Sequence, residues 1–533
     1  MLSPMPFDAV SLFLASAGRF GDRTAICQDG AITTYSELLD RAGRLAGGLG
    51  ALGIESGDRV VLLLPNGARF VEAWWAILCC GAVVVPLNPS TTSEELRFYI
   101  DNCGAGCVIT DTEHLSSVEA LFAGTATRRV ATIVCVDAAS EGIENYEALI
   151  ARSRPSVGRA AQALGRPCAI YYTAGSTGRP KGVVRSHLSV AWGLAMLARR
   201  LSHSDVLLAR APMAHTGGSL TGPFAVLIAG GTLVIASRSD PDTLLGLVQQ
   251  HRVSRLYLHP VLSAKGLFAS MDRTPFDLSS LRCLHWTAGS LPEAIRSEIF
   301  RRFPGLPLEV TYGMTEVSNI ATYDCDATSA RPSNCVGFPW PGSEIGILGA
   351  DGAYLPPGAG EGEVVVRSPT AMSGYWDAPD LTATAMRGGW LHTGDLGRLG
   401  EDGELYLTGR IKDVIKTAGM TVYPAEVEHA LAAHSDVLEA VVFGAPHPHW
   451  EEAVTAVVAL RAGSFVSEAE LIEYCRRHLS GYKLPKQVFF VDALPRNGSN
   501  KIDKRALVVQ YAGLVAAGVQ FVPLNQGVWS DEL

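Results

Sequence analysis

Along the first third of the chain, apolar positions switch between two spacings. Leu38, Leu39, Ala42, Leu45, Ala46 and Leu49 recur at intervals that put an apolar stripe on one face of a helix, with Ser36 as its expected N-cap. Short β-branched and leucine runs follow at Val60 to Leu64, Ala82 to Leu87, Val108 to Thr110 and Thr132 to Val136, with helical stretches between them. Apolar runs that alternate with helices predict a largely parallel sheet covered on both faces. The most apolar stretch, Val71 to Pro86, contains Glu72 and Gly81 and is shorter than the ~20 residues that cross a bilayer. It predicts a buried helix followed by a buried strand, and no integral membrane segment. A loop from Ala151 to Arg166 should enter a strand at Cys168 to Tyr172. Beyond Leu407 the pattern changes. Pro424 opens a helix, strands are expected at Val437 to Phe443 and Val454 to Leu460, a helix at Glu468 to Leu479, and a strand at Gln487 to Val491. That is a compact α+β unit of about a hundred residues, within the usual domain range.

At 533 residues the chain is too long for one ordinary core, and its 47% hydrophobic and 18% charged residues describe a globular protein. A net charge of -9 argues against nonspecific nucleic-acid binding, so any site for a polyanion must gather its cations locally. Eleven cysteines without paired C-x-x-C spacing suit neither a zinc site nor a complete disulfide framework and fit a reducing cytoplasm. The N-terminus lacks the basic, apolar and small-residue succession of a secretory signal.

Candidate chemistry begins at Thr173-Ala174-Gly175-Ser176-Thr177-Gly178-Arg179-Pro180-Lys181-Gly182. Glycines let backbone N–H groups approach phosphate oxygens, Thr173, Ser176 and Thr177 add hydroxyl donors, and Lys181 adds a full charge. The Walker spacing is absent, and composition alone would equally describe a surface turn. In sequence order there follow Ala211-Pro212-Met213-Ala214-His215-Thr216-Gly217-Gly218, Thr287-Ala288-Gly289-Ser290-Leu291, Tyr312-Gly313-Met314-Thr315-Glu316 and Trp390-Leu391-His392-Thr393-Gly394-Asp395-Leu396-Gly397. Gly409-Arg410-Ile411-Lys412-Asp413, Ile415-Lys416-Thr417-Ala418-Gly419-Met420 and Leu494-Pro495-Arg496-Asn497-Gly498-Ser499-Asn500-Lys501 complete the series.

This ordered set resembles the motifs of the adenylate-forming (ANL) superfamily, which includes acyl-CoA synthetases, peptide-synthetase adenylation domains and firefly luciferase. The likeness runs from about Tyr35 to Arg505 and is nearest the acyl-CoA synthetase branch. The resemblance implies an α/β luciferase-like fold, with a large domain of mostly parallel, helix-covered sheets over residues 1–411. A small mobile α+β lid over 412–533 follows, and nothing in the pattern explains its tail, 513–533. The implied activity is ATP-dependent conversion of a small-molecule carboxylic acid to acyl-AMP, then transfer to the thiol of coenzyme A. An acyl carrier protein is the alternative acceptor, and a ligand-binding protein derived from the fold is the non-enzymatic alternative.

The resemblance also implies roles. Thr173, Ser176, Thr177, Gly178 and Lys181 would hold the polyphosphate, and Ala288 and Gly289 would flank adenine, with Ser290 where the family usually has proline. Tyr312 would stack on adenine beside Gly313, Thr315 would contact the α-phosphate, and Glu316 would help hold Mg2+, a hard cation suited to carboxylate and phosphate oxygens. Asp395 would accept from both ribose hydroxyls with Arg410 as a second contact, although an aspartate in that setting could also be a helix cap. Lys501 would bridge the acid and the α-phosphate, offsetting the repulsion between two anions. Lys412 would be the hinge between domain orientations and Lys416 would line the path of the thiol, although most lysines are merely solvated. His215, with Thr216, Gly217, Gly289, Gly313 and Met314, would border the acyl group, His215 being as readily a core histidine. No aspartate lies between Asp205 and Asp240 to meet a substrate amine, which disfavours an α-amino acid. The small residues Gly217, Gly218, Ala288 and Gly289 suggest room for a bulky aryl, alicyclic or longer acyl group.

Overall fold

A computed structural model describes residues 7–122, 132–138, 140–157, 164–173, 180–258, 261–287, 291–325, 331–417, 420–447, 449–497 and 501–516. The helix expected after Ser36 covers Tyr35–Ala51, beginning two residues earlier than read. Thr34, not Ser36, is the cap. Its hydroxyl accepts from Glu37 N–H while the Glu37 carboxylate accepts from Thr34 N–H, so two orphan donors are satisfied together. Helix Ala68–Cys79 and strand Val83–Pro86 form the expected buried pair. Glu72 is buried in that helix because Arg41 and Arg69 pair with it and Tyr146 Oη donates to it at 3.2 Å.

Strands Val83–Pro86, Arg59–Leu63, Cys107–Thr110, Thr132–Cys135 and Ile143–Asn145 pair in parallel within one eight-stranded sheet. Their apolar runs are buried on both faces, as continuous hydrophobic strands require. On the other side of Val83–Pro86, strands Pro167–Thr173, Lys181–Ser186 and Gly374–Tyr375 extend the sheet, the last two additions antiparallel. A second sheet has a parallel part, from Thr24–Gln28 through Thr232–Ile235, Val206–Ala209, Arg255–Tyr257, Cys283–Thr287 and Leu308–Met314. It continues antiparallel through Ser318–Cys325, Cys335–Pro339, Leu405–Arg410 and Trp390–Leu399. Phe13, Trp74, Trp75 and Phe224 pack between the layers, Phe13 stacked on Trp75 with ring centres 4.4 Å apart.

After Arg410 the chain makes a single 3-10 turn, Ile411–Asp413, and enters a smaller C-terminal domain. There, helix Pro424–Ala432 begins with proline at its first turn, as read, and helix Glu468–Arg476 and strand Gln487–Val491 lie where expected. The two central strands are longer than their apolar runs suggested, Val437–His447 and Glu451–Leu460, because their full antiparallel ladder continues past the hydrophobic segments. A final helix covers Lys504–Ala516, and 517–533 lie outside the described residues. The domains touch in this arrangement: Lys265 Nζ donates to Leu438 O at 2.9 Å, and Ser333 Oγ lies 2.9 Å from His429 Nε2. Among the described residues no helix is long and apolar enough to cross a membrane.

Candidate functional site

Thr173 closes strand Pro167–Thr173 and Lys181 opens strand Lys181–Ser186, and the antiparallel register pairs these two residues directly. The expected phosphate loop therefore joins the ends of one hairpin. Ser176, Thr177 and Gly178 lie outside the described residues, as do Ala288 and Gly289. The Lys181 ammonium lies 5.1 Å from the centre of the Tyr375 ring, and Tyr375 Oη donates to Glu316 Oε1 at 3.0 Å. Tyr375 thus links the phosphate hairpin to the carboxylate expected to hold the metal. Sequence reading passed over it, because nothing in Gly374-Tyr375-Trp376 points to partners as distant as Lys181 and Glu316.

The Tyr312 to Glu316 segment turns sharply between strands Leu308–Met314 and Ser318–Cys325, with a register shift at Tyr312/Gly313. Glycine is required at 313, since a Cβ there would sit 2.0 Å from Ser318 O. Ser318 has φ of 56°, an uncommon conformation for a residue with a side chain. One residue holds this geometry. Arg185, wholly buried, donates from Nη1 to Thr315 O and Ser318 Oγ, both at 2.9 Å, and from Nη2 to Thr370 O at 2.8 Å. Burial lowers its pKa to about 10, which still leaves it charged at neutral pH. Arg185 was missed because an arginine four residues after a phosphate-loop lysine reads as one more surface cation. Thr315 Oγ1 lies 3.5 Å from Thr216 Oγ1, which brings the two threonine segments together.

Asp395 is buried on strand Trp390–Leu399, directly opposite Arg410 in the ladder. Arg410 Nε donates to Asp395 Oδ1 at 2.9 Å and Tyr312 Oη donates to Oδ2 at 2.5 Å. The helix-cap alternative for Asp395 is therefore excluded, because it sits within a strand. Burial, then the Asp395 charge, raises the Tyr312 hydroxyl well above its ordinary pKa, so it stays a donor. Each carboxylate oxygen keeps a further lone pair for another donor.

Lys501 comes from the C-terminal domain and reaches the same cleft. Its backbone is held by Asn497, whose N–H donates to Lys501 O at 2.8 Å and whose Oδ1 accepts from Lys501 N–H at 3.1 Å. The side chain is open to the cleft's solvent, yet surrounding protein desolvates the ammonium and lowers its pKa. The Arg410 charge lowers it further, and the Asp395 and Glu316 carboxylates oppose both. His215, half-buried at the start of turn Thr216–Ser219, also has a lowered pKa, from burial first and then the Lys501 charge, so it is neutral at physiological pH. Lys412 is exposed in the turn between the domains, and Lys416 is exposed on strand Ile415–Thr417, where its N–H donates to Glu452 Oε2 at 2.6 Å. The glycines expected to leave acyl space divide. A Cβ on Gly217 would meet nothing within 4 Å, whereas one on Gly218 would sit 2.0 Å from Pro212 O. Gly218 serves close backbone packing and opens no pocket.

A family model described as AMP-binding enzyme matches residues 13–376, and one described as AMP-binding enzyme C-terminal domain matches residues 426–501. The chain belongs to the AMP-binding enzyme family. It is an AMP-forming acid–CoA ligase of the acyl-CoA synthetase branch of the adenylate-forming superfamily. It is 36% identical to a feruloyl-CoA synthase of Amycolatopsis sp over 90% of this chain and 94% of that one. It is 32% identical to an indoleacetate–CoA ligase of Aromatoleum aromaticum over 92% and 95% of the two chains. Its fold matches ATP-bound MatB from Rhodopseudomonas palustris with a TM-score of 0.87 at 29% identity, covering 95% of this chain and 99% of that one.

Two outcomes are expected of this AMP-binding enzyme. Arg185→Met should leave three acceptors unpaired, at about 1–3 kcal/mol each, and so lower stability by at least about 3 kcal/mol. Arg185→Lys should recover little, since one ammonium cannot reproduce the planar fork. Denaturant unfolding with unchanged midpoints would contradict this. Asp395→Ala should weaken ATP far more than the acid in calorimetric titration, and equal ATP affinity in variant and parent would remove Asp395 from the nucleotide site.

Proposed function

We propose that this enzyme activates a bulky carboxylic acid as acyl-AMP, releasing pyrophosphate, and passes the acyl group to the thiol of coenzyme A. The observation that carries the reading is the convergence on Lys501. The ammonium from the small domain enters the cleft that contains Glu316, Asp395 and Arg410 of the large one.

In the first half-reaction the acid's carboxylate oxygen attacks the α-phosphorus of ATP and the bond to pyrophosphate breaks. Lys501 holds the two anions together as charge builds on the phosphorus. Asp395 and Arg410 orient the ribose, Lys181 and the hairpin it opens hold the polyphosphate, and Thr315 meets the α-phosphate. Glu316, a half-buried carboxylate tied through Tyr375 to the phosphate hairpin, has the donor chemistry that Mg2+ takes together with phosphate oxygens. A magnesium ion bound there would neutralise phosphate charge. In the second half-reaction the small domain turns at Lys412, Lys501 withdraws, and the loop from Lys416 borders the incoming thiol. The thiol sulfur attacks the acyl carbon, AMP leaves, and its proton goes to solvent or base.

An aryl or similarly bulky acid is supported by the open space at Gly217 and by relatives named for feruloyl and indoleacetate substrates. Coenzyme A, not a carrier protein, is the acceptor in those relatives' names. A reducing, cytoplasmic setting is supported by eleven cysteines that are all free.

Pyrophosphate release across an acid panel, followed by AMP release on adding coenzyme A, tests the reading. Lys501→Ala is expected to lose a few hundredfold in pyrophosphate release, the effect of about 2.7–4 kcal/mol from one lost electrostatic contact, while thioester formation from supplied acyl-AMP persists. Equal losses in both steps would refute that division. The charged ammonium exists below its pKa, and that pKa is lowered, so the first step should fail on the alkaline side at a pH below the ordinary lysine value. Lys501→Arg should carry whatever activity it retains to higher pH. Lys412 lies in a 3-10 turn, whose φ suits proline, so Lys412→Pro should preserve this arrangement and lose the second step. Lys412→Ala should be much milder. Single-turnover assays of bound acyl-AMP and thioester decide it, and an alanine as damaging as proline would assign Lys412 a role for its charge.

A further inference from the structure

Behind the reacting centre, Tyr257, His285 and Glu309 stand side by side across three parallel strands, paired in register. Together with Thr221, Thr311 and Asn319 they line a cavity of about 10 Å³, room for one water-sized group. The cavity is bounded by continuations of the segments that form the reacting centre. Thr221 lies just past turn Thr216–Ser219, Thr311 precedes Tyr312, and Asn319 is the register partner of Gly313. The row therefore lies beyond the segments expected to border the acyl group.

The row is polar but balanced. Arg200 Nε lies 3.3 Å from Glu309 Oε2 and Arg200 Nη2 2.5 Å from Asp324 Oδ1. Arg255 lies 3.3 Å from Asp205 and 4.0 Å from Glu309, and Arg282 lies 2.9 Å from Asp205. Arg255 Nη1 donates to His285 Nε2 at 3.3 Å, which leaves the ring proton on Nδ1, 3.8 Å from Glu309 Oε2. Burial and the two guanidiniums push the His285 pKa down to about 3, so the imidazole is neutral. The ligand atoms of Cys283, His285 and Glu309 lie within 4.8 Å of one another, but a metal ion there would face both arginines. A charged ligand tip of either sign would upset paired buried charges, and an apolar tip would leave the Glu309 carboxylate without a donor from the ligand. A neutral hydroxyl meets neither objection and matches the cavity in size.

We infer that this cavity receives a hydroxyl group carried on the acid's far end, which donates its proton to the Glu309 carboxylate. The inference rests on the acid activation proposed above and narrows its substrate to a hydroxylated acid. The hydroxyl should be worth about ten- to a hundredfold in kcat/KM.

The test measures acid-dependent pyrophosphate release by the full-length enzyme with para-hydroxy, unsubstituted and para-methoxy acids, run both as benzoates and as cinnamates to vary reach. The hydroxy acid should be preferred in at least one series, with the methoxy acid as poor as the unsubstituted one or poorer, because the methyl removes the donor and overfills the cavity. Glu309→Gln should collapse the ratio of hydroxy to unsubstituted rates. Equal or better turnover of the unsubstituted acids in both series overturns the cavity inference and leaves acid activation standing. No release with any of these acids, where another acid of the wider panel is activated, also overturns the cavity inference and leaves acid activation standing. A preference that survives Glu309→Gln overturns the assignment of Glu309. Should that variant not fold, the wild-type series still decides the inference.

Discussion

The geometry of the site depends on one buried guanidinium. Arg185 projects from the strand that begins with Lys181 and binds Thr315 O, Ser318 Oγ and Thr370 O at once. Those acceptors belong to the second sheet and to the segment leading into Gly374–Tyr375. The phosphate hairpin and the Thr315–Glu316 turn are therefore tied through one rigid planar group. The positive φ at Ser318 and the register shift at Gly313 are local costs that this group helps to hold. Because its donors are matched inside the protein, the arginine supports the site without competing for ligand phosphate.

The remaining electrostatics concern a cleft with few charges, each placed by a different element. Asp395 and Arg410 are fixed by strand pairing, so their relation is rigid. Lys501 arrives on a separate domain joined to the first by an exposed turn at Ile411–Asp413. Between them, the carboxylates of Asp395 and Glu316 favour its charge while burial and Arg410 oppose it. The net effect is a lowered pKa, with burial the largest cause, and under the proposed two-step reading this ammonium serves only the first step. The contacts of Lys265 with Leu438 and of Ser333 with His429 hold the domains in this arrangement, and the proposed rotation would have to break them.

Much of the architecture was legible because its signals are local. Continuous apolar runs marked the parallel strands near Val60, Val84 and Val108, and Pro424 marked a helix start, since burial on both faces and a fixed φ act on neighbouring residues. The cap at Thr34 was displaced from Ser36 because both are good caps, and only the Glu37 reciprocal bond chooses between them. Motif order placed Lys181, Tyr312, Glu316, Asp395, Arg410 and Lys501 in one site, and the fold brings most of them into mutual reach.

Arg185, Tyr375 and the row of Tyr257, His285 and Glu309 were not legible. Each acquires meaning from a partner far away in sequence: Arg185 from Thr315 and Thr370, Tyr375 from Lys181 and Glu316, His285 from Arg255 and Glu309. Gly217 and Gly218 make the same point at adjacent positions, since one faces open space and the other backbone. The sequence by itself determined the family, the two-part chemistry and the residues that carry charge, because these depend on residue type and order. Tertiary structure decided which charges are paired, which small residues open space and which polar side chains share a cavity. Pairing and exclusion depend on distances across strands, which no single stretch of chain contains.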